Sequence, residues 1–195
     1  MSSRRNAPRT PKRACVPPRQ SGARSLEEVV DRYIHDYRPD AAREIAYFAS
    51  QPSLERAVEL AALAVTEEGK RHPHQRRIPR EVLAEAWEVL KTLRLSKCRS
   101  FHDLHSLCAE NLGPIRGIGE LTTYDIATRV GAFLGLEPQR VYLHAGTRAG
   151  ARALGLRDAE FLESAELPSS FARLKPREIE DCLCIYKSHF RRAAA

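Results

Sequence analysis

The residues whose spacing first suggests chemistry are Gly117 and Gly119, which flank Ile118 directly in front of an apolar-periodic segment that ends at Leu136. Glycine costs about 1 kcal/mol in a helix interior relative to alanine, so this spacing requires a reason in the backbone. We expect a hairpin, anchored in the core by Ile118, that exposes successive N–H groups at a helix N-terminus. The helix dipole and unpaired donors favour an anion there, and a Cβ at either glycine would hinder its approach. The alternative is an ordinary corner between two packed helices with glycine caps.

A second polar set follows in the segment 143–154. If this segment is helical, three- and four-residue spacing places His144, Thr147, Arg148 and Arg152 on one face. An imidazole, a hydroxyl and two guanidinium groups suit the handling of phosphate. In the alternative, His144 and the nearby Tyr142 are core residues with satisfied hydrogen bonds. The arginines would then pair with acids such as Asp125 or Glu180.

Asp125 is the carboxylate nearest to the glycine pair and could act as a general acid or base. It also lies four residues before Arg129, which is the spacing of a surface ion pair on a helix. The spacing favours the ion pair, and Asp125 stays a catalytic candidate.

Helical signals dominate the elements that must position these residues. Capping residues or prolines precede apolar positions at helical spacing, and no stretch shows a convincing two-residue alternation. The predicted helix starts are Ser25, Pro39, Ser53, Pro79, Ser100 and Pro176. We expect the helix at Ser53 to stop near Gly69 and the helix at Ser100 to end at about Asn111. The sequence therefore predicts an all-α fold.

Charge separates the chain into two regions. Residues 1–24 carry seven Lys or Arg and no acid, whereas the other 25 basic residues balance the 25 Asp and Glu. With four prolines and little to bury, residues 1–24 are predicted to be a disordered basic arm, which suits a polyanion or simply confers solubility. Residues 25–195 form the predicted helical domain, as one core or as two small lobes.

Other patterns restrict the classes of protein and site. No stretch is long enough and apolar enough to span a membrane, and no signal peptide is visible, so we expect a soluble protein of the cytoplasm or nucleoid without a membrane partner. The five cysteines have irregular spacing, which fits a reducing compartment. His72 and His74 could be half of a metal site, but no partners stand nearby in the sequence and we predict no metal. The basic loop Lys70–Glu81 around them could contact phosphates or be merely solvated.

The run Ile115, Arg116, Gly117, Ile118, Gly119, followed by Thr122 and Ile126, resembles the helix-hairpin-helix module, here at about residues 100–135. In that family the hairpin binds a DNA backbone phosphate, often with a bound monovalent cation. The resemblance implies DNA as partner and no other cofactor. It gives Arg116, Gly117, Ile118, Gly119 and Thr122 as DNA-binding residues, and we add Thr147 and Arg152 from the second polar set.

The likeness continues into the helix-hairpin-helix DNA glycosylases. Their Val-Asp-Thr-His segment is matched by Val141 and His144, their following arginine by Arg148, and their Leu-Gly-Leu ending by residues 154–156. The chain has Tyr142 in place of the catalytic aspartate and Leu121 in place of the nucleophilic lysine. The iron-sulfur cysteine spacing of some relatives is absent too. The resemblance therefore implies a divergent member.

Two functions remain open for such a member. In the first, the protein, which we expect to be a monomer, acts on a damaged or modified base in DNA, by base excision or by group transfer on a modified pyrimidine. The candidate catalytic residues are Tyr142, His144, Arg148 and Asp125. In the second, the protein has lost glycosylase chemistry and binds DNA without regard to sequence.

Overall fold

The computed structural model describes residues 25–190, so the predicted basic arm and the last five residues lie outside the described part of the chain. Within residues 25–190 there are eight α-helices, which confirms the all-α class. They are α1 Leu26–Asp36, α2 Arg38–Ala49, α3 Leu54–Ala62, α4 Arg80–Leu90, α5 Phe101–Leu112, α6 Glu120–Leu134, α7 Ala145–Ala153 and α8 Pro176–Tyr186. Two short strands, β1 Val141–Tyr142 and β2 Phe161–Leu162, pair antiparallel. None of the helices described is both long and apolar enough to cross a bilayer.

The helix starts follow the predicted signals. The side chains of Ser25, Ser53 and Ser100 each accept a hydrogen bond from the backbone N–H three residues on, at the starts of α1, α3 and α5. Pro176 is the first residue of α8, and Pro79 directly precedes α4. Side-chain caps and prolines are local signals, so the sequence locates these boundaries well.

The end of α3 differs from the prediction, because this helix stops at Ala62 rather than near Gly69. Ala64 has a φ of 54°, in the left-handed region, and this turns the chain out of the helix. Val65 then pairs with Arg71 in an isolated β-bridge. Residues 65–71 therefore form a tight return that leads directly into residues 72–79, which carry His72 and His74 and are called the histidine loop below.

Buried apolar side chains form two clusters. The inner cluster comes from α2 to α6, whereas the terminal cluster joins α1 to α7, α8 and the short sheet. Strand β1 lies between them, because Tyr142 belongs to the inner cluster while its neighbours Val141 and Leu143 belong to the terminal cluster. Polar side chains from α6 and α8 therefore lie where the two clusters meet.

Helices α7 and α8 approach each other closely at Gly150. A Cβ at this position would lie 2.3 Å from the carbonyl oxygen of Leu183, so a larger residue would push the helices apart. This contact fixes α7, and with it the residues at its N-terminus, against the terminal cluster.

The predicted surface ion pair between Asp125 and Arg129 is not formed. Arg129 is only 3% exposed, and its Nε lies 2.8 Å from Oε1 of Glu44 on α2. Asp125 instead accepts a hydrogen bond from Gln75 at 2.5 Å and contacts His74. The prediction is wrong because this face of α6 packs on α2 and on the histidine loop rather than facing water.

Glu44 gives this arrangement a pH dependence. Burial raises its pKa, but the charge of Arg129 and the hydrogen bond with His72 outweigh burial and hold the pKa well below the ordinary value of 4.5. A carboxyl group with a depressed pKa in the folded state stabilises the fold above its unfolded pKa. This contribution is lost as the pH falls.

We therefore predict that Glu44→Gln lowers the free energy of unfolding most at neutral pH, and progressively less below pH 4.5. The Glu44 side chain is 35% exposed. Water therefore screens the pair. We expect Glu44→Gln to lower the free energy of unfolding by about 2 kcal/mol, which lies between the values typical of exposed and of fully buried ion pairs. Urea unfolding of both proteins between neutral and acidic pH measures this difference. A deficit that grows as the pH falls would contradict the assignment.

Candidate functional site

The segment 113–119 connects α5 to α6 and is called the hairpin below. Gly117 has a φ of +104°, a conformation that favours glycine, and its Cβ position is 3.4 Å from Val82 of α4. Ile118 is buried and donates its N–H to the carbonyl of Ile115 at 3.0 Å. The predicted core anchor of the turn is therefore confirmed.

Gly119 is the N-cap of α6, and unlike Gly117 it has a backbone conformation that does not require glycine. Its φ of −110° is extended backbone, and no atom of the protein lies within 4 Å of its Cβ position. No side chain caps the helix at this residue. The protein itself could thus accommodate a larger residue here, and the first N–H groups of α6 lack a side-chain acceptor. Thr122, in the first turn of α6, is buried.

A pocket of about 420 Å³, called the hairpin pocket, lies beside Gly119. Its walls come from α5, the hairpin, the start of α6, β1 and α7. The lining residues include His105, Ala109, Gly119, Thr123, Tyr124, Tyr142, His144, Arg148 and Glu160. Three of the four candidate catalytic residues, Tyr142, His144 and Arg148, therefore share one pocket. Asp125 does not line it.

Aromatic rings form one wall of the hairpin pocket. The ring of Tyr142 lies 4.5 Å from that of His105 and 5.8 Å from that of Tyr124, and its hydroxyl is 3.0 Å from Nδ1 of His102. Burial raises the pKa of Tyr142 to about 12 and lowers the pKa of His105. Both rings are thus held uncharged at neutral pH, as flat surfaces suited to stacking.

Sequence reasoning missed His102 and His105. Their three-residue spacing on α5, with His105 four residues after Phe101, was a usable sign that they share a face.

His144 is the N-cap of α7 rather than a residue on its face. Its backbone N–H donates to Oγ1 of Thr147 at 2.7 Å, and its Nδ1 accepts the N–H of Gly146 at 3.3 Å. The proton therefore lies on Nε2, which donates to the carboxylate of Glu180. Burial lowers the pKa of His144 and, with the charge of Asp181, raises that of Glu180.

This geometry agrees with the alternative in which His144 is a core residue with satisfied hydrogen bonds. Thr147 is fully buried and returns a hydrogen bond to the His144 carbonyl at 3.0 Å. The two side chains hold the start of α7 in place, and the edge of the His144 ring still lines the hairpin pocket.

Of the two arginines of α7, Arg148 lines the hairpin pocket and Arg152 does not, and both are paired with acids other than those expected. Arg148 lies 2.6 Å from Glu120 and 3.6 Å from Asp158, and Arg152 lies 3.6 Å from Asp158. The expected partners, Asp125 and Glu180, belong to the interior. Arg148 thus connects the first residue of α6 to α7 across the pocket entrance.

The basic loop lies next to the hairpin. Its residue His74 lines a surface pocket together with Gly119, and Gly117 contacts the start of α4 just after the loop. Four exposed arginines mark this surface, and none of them has an ion pair among residues 25–190. They are Arg76, Arg77, Arg80 and Arg116.

Asp125 lines a different space, called the polar cavity, of about 180 Å³ between α2, α6, α8 and the histidine loop. Its partners there are His74 at 3.2 Å and Gln75 at 2.5 Å. Burial opposes the charge of His74, but the hydrogen bond and charge of Asp125 outweigh it and raise the pKa of His74 to about 9.

Comparison of the chain with protein families, curated proteins and solved structures gives no match. The functional interpretation therefore depends on the geometry of the hairpin, the hairpin pocket and the polar cavity.

The contact between Glu180 and His144 predicts a difference between two substitutions. Glu180→Gln keeps an oxygen that accepts the His144 N–H, and we expect a change in stability within about 1 kcal/mol. Glu180→Ala leaves that buried donor unsatisfied and should cost about 2 kcal/mol. Urea unfolding of both variants at neutral pH measures this, and equal stability of the two would show that the hydrogen bond is unimportant.

Proposed function

We propose that this protein binds DNA through the backbone amides of the hairpin and acts on one nucleotide held in the hairpin pocket. The observation that supports this most is that the uncapped start of α6 at Gly119 lies at the rim of an aromatic pocket. A phosphate at the helix end and a base in the pocket would then belong to the same strand.

The local backbone and charge suit a phosphate. The N-terminus of a helix presents N–H donors and positive dipole charge, and the space around Gly119 is open to a ligand. The exposed arginines Arg116 of the hairpin and Arg80 at the start of α4, which Gly117 approaches, add positive charge on this side of the molecule, and neither has an ion pair among residues 25–190. Contacts of this kind supply affinity that is independent of sequence and falls with salt.

The hairpin pocket suits a base turned out of the stack. Enzymes that act on a base must expose it, and they hold it between aromatic or apolar side chains. Tyr142, His105 and Tyr124 supply such surfaces in a space of about 420 Å³. The hairpin would therefore bind the DNA backbone without regard to sequence, and the adjacent hairpin pocket would select the base.

The residues at the pocket favour group transfer, or a base excision that does not use the catalytic aspartate of the DNA glycosylases. Arg148 at the entrance can stabilise an anion that develops on the substrate, once its contact with Glu120 is exchanged for the ligand. Glu120 and Glu160 are the carboxylates that line the pocket. His144 would act through its position, because both ring nitrogens are already occupied by Gly146 and Glu180.

We predict that Gly119→Val weakens binding to a DNA duplex by at least about 10-fold, because its side chain occupies the space that the phosphate needs. Its φ allows valine, so the fold should persist. Arg116→Ala should weaken binding less and reduce the salt slope by about one. The matched control is Arg56→Ala on α3, an exposed arginine bound to Glu59. Fluorescence anisotropy measures these affinities. Unchanged affinity of folded Gly119→Val would refute binding through the hairpin.

Chemistry is tested separately, by incubating the full-length protein with oligonucleotides that carry a panel of damaged and modified bases. The mass of the released or altered nucleoside distinguishes excision from group transfer. We expect a product with wild type, and its loss in Arg148→Ala with duplex affinity changed by less than about 10-fold. If no base yields a product while the hairpin variants still lose affinity, the protein is a DNA-binding protein without enzymatic activity.

A further inference from the structure

Three side chains that can ligate a metal ion meet in the polar cavity. They are His72 and His74 from the loop before α4, and Asp125 from α6. One ligating atom from each lies within 4.8 Å of the others. The sequence shows only the two histidines near each other, because the carboxylate is about 50 residues away in the chain and is brought in by the packing of α6.

The loop holds its two histidines before any ion binds. The N–H of His72 donates to the carbonyl of Ala64 at 2.8 Å, and Pro73 begins a 3-10 turn between the two rings. The ring centroids lie 5.0 Å apart. Because proline restricts the backbone and the β-bridge at Val65 ties down the start of the loop, little ordering would be needed on binding.

The acids around the cluster match the pattern of known metal sites. Nε2 of His72 lies 3.4 Å from Oε2 of Glu44, as in sites where an outer carboxylate orients a metal-binding histidine. Nδ1 of His72 is then the ligating atom, and it would exchange the N–H of His74, which it accepts at 3.4 Å, for the ion. The negative charges of Glu44 and Asp125 face the positive charges of Arg129 and His74, and an ion bound here would displace the proton of His74, as metal binding to histidine requires. Nε2 of His74 is buried and has no hydrogen-bond partner among residues 25–190.

The cavity leaves space at the cluster. Its volume of about 180 Å³ is bounded by His72, His74 and Asp125 on one side and by α8 on the other. Sites with three protein ligands and one position open to water or substrate are typical of reactive rather than structural zinc. Two imidazoles and one carboxylate also suit other divalent first-row ions.

We propose that His72, His74 and Asp125 form a binding site for one divalent first-row transition ion, with zinc as its simplest probe and one coordination position open to the polar cavity. None of these three residues lines the hairpin pocket, and the proposal does not rest on DNA binding. Without an ion, the same residues are held by the contact between His74 and Asp125.

The test uses the full-length protein after treatment with a chelator. We expect titration calorimetry with Zn²⁺ to show one tight equivalent, and His74→Gln or Asp125→Asn to weaken it by at least about 100-fold, since even the loss of an outer partner costs 10- to 100-fold. The matched control is His35→Gln, an exposed histidine on α1 outside the cluster. Its affinity should equal that of wild type. Circular dichroism establishes that each variant is folded.

Cobalt distinguishes this site from the cysteines. Co²⁺ bound to two imidazoles and a carboxylate gives visible d–d bands without the intense thiolate charge-transfer band that cysteine ligands produce. The proposal is overturned if wild type binds no stoichiometric Zn²⁺, if thiolate bands dominate, or if His74→Gln and Asp125→Asn bind as tightly as wild type. Because the first two results come from the unmodified protein, the test does not depend on the stability of any variant.

Discussion

A guanidinium group buried between helices constrains this fold more than any other interaction. The guanidinium group of Arg129 can be buried away from water only if carboxylate and amide oxygens take the place of its water molecules, because an unpaired buried charge is strongly destabilising. Glu44 on α2 supplies the direct contact, at 2.8 Å, and Gln75 of the histidine loop lies 3.5 Å away. The face of α6 that carries Arg129 therefore determines where α2 and the histidine loop can lie.

That placement has effects at a distance from Arg129. The loop that supplies Gln75 continues into the exposed arginines beside the hairpin, so the interior ion pair and the basic surface belong to one continuous segment. Tyr124, on the same helix, lines both the polar cavity and the hairpin pocket. One helix thus borders two different environments, an aromatic pocket and a cavity lined by charged groups.

The sequence predicts the helices well and their contacts poorly. Capping serines and prolines locate the starts of α1, α3, α5 and α8, because each signal acts within one turn of the chain. The ends are harder, as α3 shows, since Ala64 adopts its left-handed conformation for a tertiary return to Arg71. Spacing along the chain also gives the glycine turn and its apolar anchor.

The candidate site is only partly accessible to such reasoning. Tyr142, His144 and Arg148 do line one pocket, but His144 belongs to the N-cap, and its partner Glu180 lies on a different helix. The four-residue spacing of Asp125 and Arg129 suggests a surface pair, and only the packing of α2 and the loop shows that both face inward. Spacing within a helix states which residues are neighbours, but it does not state what the helix packs against.

The terminal cluster has a consequence for the order in which the chain folds. It joins α1 to residues far along the chain, and the hydroxyl of Tyr33 donates to Asp181, 148 residues away. Because contacts over such a separation form late, the apolar side chains of Val29, Val30 and Tyr33 stay partly exposed while the chain is only partly folded. Helices α2 to α6 contact one another over shorter separations and can condense earlier. A partly folded chain thus exposes the apolar face of α1, which makes it prone to aggregation until α8 docks.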